Sequence, residues 1–515
     1  MSRSSEALHV VAPPRPDLPD APLPGFWASV GEALRGSEQD FTRGPLRRAI
    51  LLLAVPMVLE MAMESVFAVV DIFFVARLGA DAVAAVGLTE SLLAAVYALA
   101  MGLAMGATAV VSRRIGERDP EGAAHAAAQA VLLGLGVAAV LGITGAALAP
   151  QLLALMGASE SVLRIGTGYT RVMLGGEASI ILLFVANAIF RGAGDAAIAM
   201  RTLWLANGIN IVLCPLLIFG PGPLPALGVT GAAVATTIGR ATGAAVALWR
   251  LTRPRPPRAG QARGVGQSAT TEAGGAAAGG ERPGAPPPRV QVARRHLRPD
   301  RAVLATIVRV SAAGAVQSLI GTASWIGLVR IIATFGASAL AGYTIAIRIV
   351  IFALLPAWGL SNAAATLVGQ SLGARDEARA ERAVWTTGHY NAAFLGAVGV
   401  LFVVAAPWLV GAFTADPAVA PVAVRCLRVV SLGFVFYAYG MVLTAAFNGA
   451  GDTRTPTWLN LLVFWLFEIP LAWLLAGPLG WGPTGVFVAV AVAFSTLAVV
   501  SAALFRRGRW KTMRV

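Results

Sequence analysis

The chain has 515 residues and a formal net charge of +14; 57% of its residues are hydrophobic and only 13% are charged. Its mean hydropathy is +0.73. Soluble domains carry roughly 25% charged residues, so this composition excludes an ordinary soluble enzyme or binding module and indicates an integral membrane protein.

Residues 1–45 are polar and Pro-rich with no apolar core, so they read as a disordered tail and not as a cleavable signal peptide. From Leu46 onward, apolar stretches recur at the length of about 20 residues that a helical crossing demands. The pattern predicts twelve helices, near 46–76, 83–112, 123–148, 163–188, 198–219, 228–250, 302–334, 340–369, 383–406, 422–446, 456–476 and 483–505. Segments of about ten residues with alternating polarity, the mark of an outer-membrane barrel, do not occur. The crossings must therefore be helices that satisfy their own backbone groups.

The first predicted helix carries carboxylates in an oily context. Asp71 interrupts VFAVVDIFFVARLG at 66–79, and Glu60 and Glu64 precede it. At about 100° per residue the three lie within about 40° of one another, spread over about 16 Å of helix axis. Met57, Phe67 and Phe74 border that face. A charged carboxylate costs several kcal/mol in mid-bilayer, so the face must look into protein or water. Such groups can carry a proton or exchange it for Na⁺ or a cationic substrate; the structural alternative is a set of hydrogen-bonded carboxylates in a packed core.

The arginines gather in alternate loops: Arg113, Arg114 and Arg118; Arg191 and Arg201; the stretch 252–300; Arg375, Arg379 and Arg382; Arg454; and the tail Arg506, Arg507, Arg509, Lys511 and Arg514. This is the positive-inside bias. It places both termini and the central stretch in the cytoplasm, suits contact with anionic lipid headgroups, and argues against nucleic acid. Residues 252–300, rich in Pro, Gly, Ala and Arg, read as a flexible linker. Cys214 and Cys426 fall within predicted helices and imply no disulfide framework. The four histidines, at 9, 125, 296 and 389, form no metal-ligand spacing.

The chain repeats itself. RGAGD at 191–195 returns as NGAGD at 448–452, a shift of 257 positions, and the same shift superposes Gly79-Ala80 on Gly336-Ala337 and Ile115–Asp119 on Leu372–Asp376. The expected domains are thus a tail at 1–45, an N-lobe at 46–250, a basic linker at 251–301, a C-lobe at 302–506 and a cytoplasmic tail at 507–515. Six crossings return the chain to its starting side, so the lobes share one orientation about a pseudo-two-fold axis along the membrane normal. The shift puts Leu328, Gly321 and Gln317 opposite Asp71, Glu64 and Glu60, so the acidic face belongs to the N-lobe alone. The C-lobe instead carries intramembrane Arg330, Arg348 and Glu468, and Glu90 sits beside the position equivalent to Arg348. RGAGD and NGAGD read as helix-ending turns, not phosphate cradles, because no strand precedes them. The sole lysine, Lys511, lies in no Walker loop, so any pumping must draw on an ion gradient or a separate ATPase.

These residues carry a resemblance. PMVLEMAMESVFAVVDIFFVARLG, IFRGAGD, FNGAGDTRTP, PLLIFG and GVTGAAVAT together resemble the multidrug and toxic compound extrusion (MATE) family, over everything except the tail and the linker. The resemblance implies a monomeric, cofactor-free, cation-coupled antiporter of the inner membrane, neither an enzyme nor a metal protein, that exports amphipathic and often cationic small molecules for H⁺ or Na⁺. It makes Asp71 the cation-coupling carboxylate and places Asn187, Asn210 and Thr236 in the same pocket, where with Asp71 they could hold Na⁺. Cys214 stands where many relatives have a second aspartate, and Glu64, where an amide is common, could compensate. A lipid-linked oligosaccharide flippase of the same broad superfamily is the alternative; it would need a more cationic cavity.

Overall fold

The computed structural model describes residues 25–36, 40–220, 225–253, 290–513 and 515, and all secondary structure among them is helical. The expectations for residues 1–24 and 254–289 lie outside the described residues. In the N-terminal half the helices are α1 (Phe26–Arg35), α2 (Leu46–Ala76), α3 (Ala80–Gly116), α4 (Pro120–Leu155), α5 (Glu160–Gly175), α6 (Glu177–Gly192), α7 (Ala196–Phe219) and α8 (Val229–Thr252). The C-terminal half has α9 (Arg301–Ala333), α10 (Ala337–Gly373), α11 (Glu377–Gly411), α12 (Ala420–Ser431), α13 (Phe434–Gly449), α14 (Arg454–Asn460), α15 (Ile469–Ala476) and α16 (Pro483–Arg506).

The twelve expected crossings are present with local breaks. α5 and α6 form one crossing interrupted at Gly176, and α12 and α13 form another, bent by 57°. α14 and α15 are joined by a π-helical stretch, Leu461–Glu468. Among the described residues, ten helices or merged helices are long and apolar enough to span, and the bent pair makes eleven. The twelfth, α8, has 24 residues but is diluted by threonines, glycines and a mid-helix arginine, Arg240.

The two halves pack through small residues in a reciprocal way. A β-carbon added at Gly116 would strike the backbone of Gln370, and one added at Gly373 would strike the backbone of Arg113. Those contacts interchange under the 257-residue shift, as a two-fold relation requires. Likewise Gly102 lies on Ser311 and Ala315 while Gly359 lies on Met57 and Val58 across the seam; within each lobe the repeat also places Gly192 against Thr108 and Gly449 against Ala365. Thr366 and Gln370 also donate to the carbonyls of Arg191 and Gly192 across the seam. All these contacts lie in the halves of the helices nearest the arginine-rich turns, so the lobes are joined at that end.

Both turns close as the sequence predicts. Asp195 N–H donates to Phe190 O and Asp452 N–H to Phe447 O, both across a glycine in the left-handed region, Gly194 (φ 88) and Gly451 (φ 86). An indole clasp also recurs: Trp204 Nε1 donates to Leu59 O and Trp465 Nε1 to Ile320 O, each at 3.0 Å.

The expectation of an entirely disordered 1–45 tail is corrected within its described part. α1 is helical, Ser29 and Ala33 are buried, and Glu32 pairs with Arg48 at 2.8 Å. Arg201 donates to Leu34 O, and the buried Arg379 of α11 donates to the carbonyls of Phe41, Arg43 and Gly44. A short polar segment orders here because the bundle supplies the burial that its own composition lacks. The end of the linker is ordered for the same reason. Buried Gln129 donates to His296 O and Arg298 O, both at 2.9 Å, and accepts from Asp300 N–H. Asp300 caps α9, and the backbone N–H groups of Val303 and Ala302 hold its carboxyl below the usual carboxylate range. In the C-terminal tail, Trp510 is buried and stacks on Phe505 at 4.5 Å.

The seam yields a prediction. Gly116→Val overpacks the reciprocal contact and should destabilise the joined end by about 1–3 kcal/mol. The expected signature is a lower melting temperature in detergent with increased thiol labelling of a cysteine introduced at the seam. Unchanged melting and labelling would show that the seam is not closely packed.

Candidate functional site

The acidic face of α2 meets a matching face of α7. The pairs Glu64–Asn207 and Asp71–Cys214 have the same separation in sequence, so the two helices run side by side in constant register. The three carboxylates form a ladder, each rung with different company.

At the deepest rung Glu60 is buried, 2% exposed, and its Oε1 meets Arg191 Nη1 at 2.6 Å. Asn187 Nδ2 also donates to Glu60 (3.4 Å), and Thr202 donates to Asn187 Oδ1 (2.8 Å). Glu60 thus stands in a closed polar cluster under the first RGAGD turn. At the middle rung the Glu64 side chain is 28% exposed and lies 3.7 Å from Arg240 Nη2; Asn207 Nδ2 donates to its other oxygen at 3.0 Å. Arg240 donates to Tyr97 Oη at 2.7 Å, and its guanidinium lies over the rings of Phe67 (5.5 Å) and Tyr97 (5.6 Å).

At the outer rung, about 10 Å further along α2 by helical rise, Asp71 is part-exposed. Cys214 Sγ approaches Asp71 Oδ1 at 3.8 Å, and a thiol is a weak neutral donor. Among the described residues no basic side chain lies within 4.0 Å of Asp71. Asp71 does feel the charges of Arg240 and, on α3, Glu90. Glu90 and Arg348 are both exposed and within electrostatic reach of each other, one from each lobe.

The remaining expected residues divide between this site and the packing around it. Asn210 Nδ2 donates to Thr236 Oγ1 at 2.8 Å, and Asn210 Oδ1 is buried without a partner. Asn187 is committed to the Glu60 cluster. Phe74 packs edge-on against Phe73 and Phe219. Met57, placed by its helical angle beside the acidic face, is buried in the seam below Gly359. In the C-lobe, Arg330 is exposed in the last turn of α9, whereas Glu468 is 3% exposed at the end of the π-helical stretch, where Tyr343 and Tyr437 feel its charge.

Sequence reading missed Arg240, Asn207 and Tyr97. For Arg240 a signal existed, because a guanidinium twelve residues into a 24-residue apolar helix is costly unless paired. Asn207 and Tyr97 give no comparable signal, since an amide and a phenol are tolerated in many helix positions.

Comparison with known proteins agrees with this architecture. A family model described as MatE matches residues 56–216 and again 314–474. The chain is 23% identical over 449 residues to the probable multidrug resistance protein YoeA of Bacillus subtilis, covering 87% of this chain and 91% of that one. It is 23% identical over 477 residues to the probable multidrug resistance protein NorM of Thermotoga maritima, covering 91% and 94%. It superposes with TM-score 0.80 and 26% identity on a multidrug resistance MATE family transporter of the MOP superfamily solved in an outward-facing conformation, covering 92% of this chain and 98% of that one.

The ladder separates a structural carboxylate from accessible ones. Glu60→Gln should lower stability by about 3 kcal/mol, because it breaks a 2.6 Å ion pair whose carboxylate is buried and whose partner Arg191 is largely so. Glu64→Gln loses only a 3.7 Å approach and leaves Arg240 its Tyr97 hydrogen bond and ring contacts, so it should cost less, about 1 kcal/mol. Melting of the two detergent-solubilised variants tests this, and equal melting temperatures would refute the distinction.

Proposed function

The chain belongs to the MatE family, and on that premise we propose that it is a secondary antiporter that exports amphipathic organic cations across the cytoplasmic membrane in exchange for H⁺ or Na⁺. The observation that carries this reading is the electrostatic position of Asp71. It is the rung of the ladder furthest from the joined end of the lobes, and unlike Glu60 and Glu64 it has no guanidinium within ion-pair distance.

An uncompensated carboxylate in a low-dielectric cleft binds whichever positive charge reaches it. Ionised, Asp71 attracts an organic cation whose apolar body lies against Phe67 and Phe74. A proton arriving from the open end neutralises Asp71, removes that attraction and releases the cation. Reclosure at that end and opening of the arginine-rich end then return Asp71 to the cytoplasm, where it deprotonates and reloads. Both cations bind the same carboxylate, so each excludes the other, and this mutual exclusion is what couples their movements. In the Na⁺ version Asp71, the unpartnered Oδ1 of Asn210 and Thr236 Oγ1 supply the hard oxygen ligands.

The arginine-rich end, with both termini and the linker, is assigned to the cytoplasm by its charge. A flippase for a lipid-linked pyrophosphate is disfavoured, because Arg240, the guanidinium nearest the accessible rungs of the ladder, already stands beside Glu64.

The test is exchange in liposomes. A fluorescent organic cation is followed under an imposed pH gradient and then a Na⁺ gradient, for wild type and Asp71→Asn. Wild type should exchange under one of the two, and the variant should lose at least tenfold of that rate. A variant that still exports against a gradient would overturn the role of Asp71.

A further inference from the structure

We propose that Arg240 sets the charge of the transported substrate: it cancels Glu64, leaves the cleft one negative charge in total, and so restricts the site to a single monovalent cation. This inference rests on the antiport reading above and names the substrate class for that site.

Four carboxylates stand along the ladder and across its mouth: Glu60, Glu64, Asp71 and Glu90. Three guanidiniums face them. Arg191 meets Glu60 at 2.6 Å and Arg240 lies 3.7 Å from Glu64; Arg348, exposed on the opposite lobe, lies within electrostatic reach of the exposed Glu90 and balances it in the count without an ion pair. Asp71 is left over. Cys214 from α7 and Tyr169 from α5 face it as neutral groups, and the charges that reach it, Arg240 and Glu90, are already in the count. Arg77 lies over the Phe73 ring at 4.4 Å and is exposed at the end of α2.

Arg240 holds its position by three contacts besides Glu64, to Tyr97 Oη and to the rings of Phe67 and Tyr97. It is 6% exposed, so it cannot leave to make room for a second cation. The guanidinium therefore acts as a tethered internal cation that permanently occupies the second of the two accessible acidic positions. A dication entering beside Asp71 would carry an uncompensated charge into a low-dielectric space. Exchange of one H⁺ or Na⁺ for one monocation moves no net charge, so transport should be electroneutral whichever ion is used.

The experiment uses the full-length protein in liposomes with tetraphenylphosphonium as monocation and decamethonium as dication. For wild type, decamethonium should bind at least tenfold more weakly than tetraphenylphosphonium, and exchange of the latter should not respond to a potassium–valinomycin potential. Arg240→Gln frees Glu64; the binding ratio should narrow at least tenfold and exchange should become potential-dependent. The double variant Glu64→Gln/Arg240→Gln removes one charge of each sign and should restore the wild-type ratio.

A correctly folded Arg240→Gln protein with an unchanged ratio and no potential dependence would overturn the proposal. A double variant that keeps the altered ratio would also overturn it, since shape and not charge would then be the cause. Should wild type move neither cation under a pH or a Na⁺ gradient, the antiport reading itself fails and this inference falls with it. A wild-type protein that transports both cations equally well refutes the charge restriction alone.

Discussion

Placing a charge in the hydrocarbon core costs several kcal/mol unless an opposite charge or water accompanies it, and the site is arranged around that constraint. Each rung of the α2 ladder answers it differently. Glu60 is buried and its Oε1 is paired with Arg191, while its Oε2 has no hydrogen-bond partner. Glu64 meets a guanidinium at a looser distance while keeping contact with the cleft. Asp71 has a thiol at 3.8 Å and, among the described residues, no basic side chain within ion-pair distance; in the proposed cycle its counter-charge comes from outside the protein. A transporter needs such an unmet requirement at one point, and needs the neighbouring carboxylates satisfied so that the requirement stays specific.

The departure at Cys214 belongs to the same economy. A second aspartate there would face Asp71 across the α2–α7 contact and raise the acidic charge of the pocket. The thiol keeps Asp71 single, and Glu64, whose position often carries an amide in relatives, brings its negative charge together with Arg240. Glu64 and Arg240 stand 3.7 Å apart, so together they add no net charge beside Asp71.

The scaffold that holds the ladder depends on close approach. In the membrane no hydrophobic gain drives helices together, so packing of small residues does. The reciprocal contacts of Gly116 with Gln370 and Gly373 with Arg113 bring the lobes together at one end. Asp71 is the rung furthest from that joined end. The N-terminal helix, the end of the linker and the Trp510 tail add packing around the arginine-rich end. Their hydrogen bonds to Arg201, Arg379 and Gln129 are a source of order that local composition does not announce.

By itself the sequence determined the membrane class, the succession of apolar helices and the duplication, and it singled out Asp71 as a candidate. Hydropathy length, a fixed repeat shift and the cost of an intramembrane carboxylate are all local or periodic properties of the chain. It could also place Glu60, Glu64 and Asp71 on one face, because a helix fixes the angle between residues. Only the tertiary structure decided which of them is neutralised. That depends on Arg191 and Arg240, about 130 and 180 residues away in the chain, and a guanidinium's effect falls off over a few ångströms of space irrespective of sequence distance. The ordering of residues 25–36, 40–45 and 290–300 was likewise decided in three dimensions, because the groups that bind them lie on helices remote in sequence.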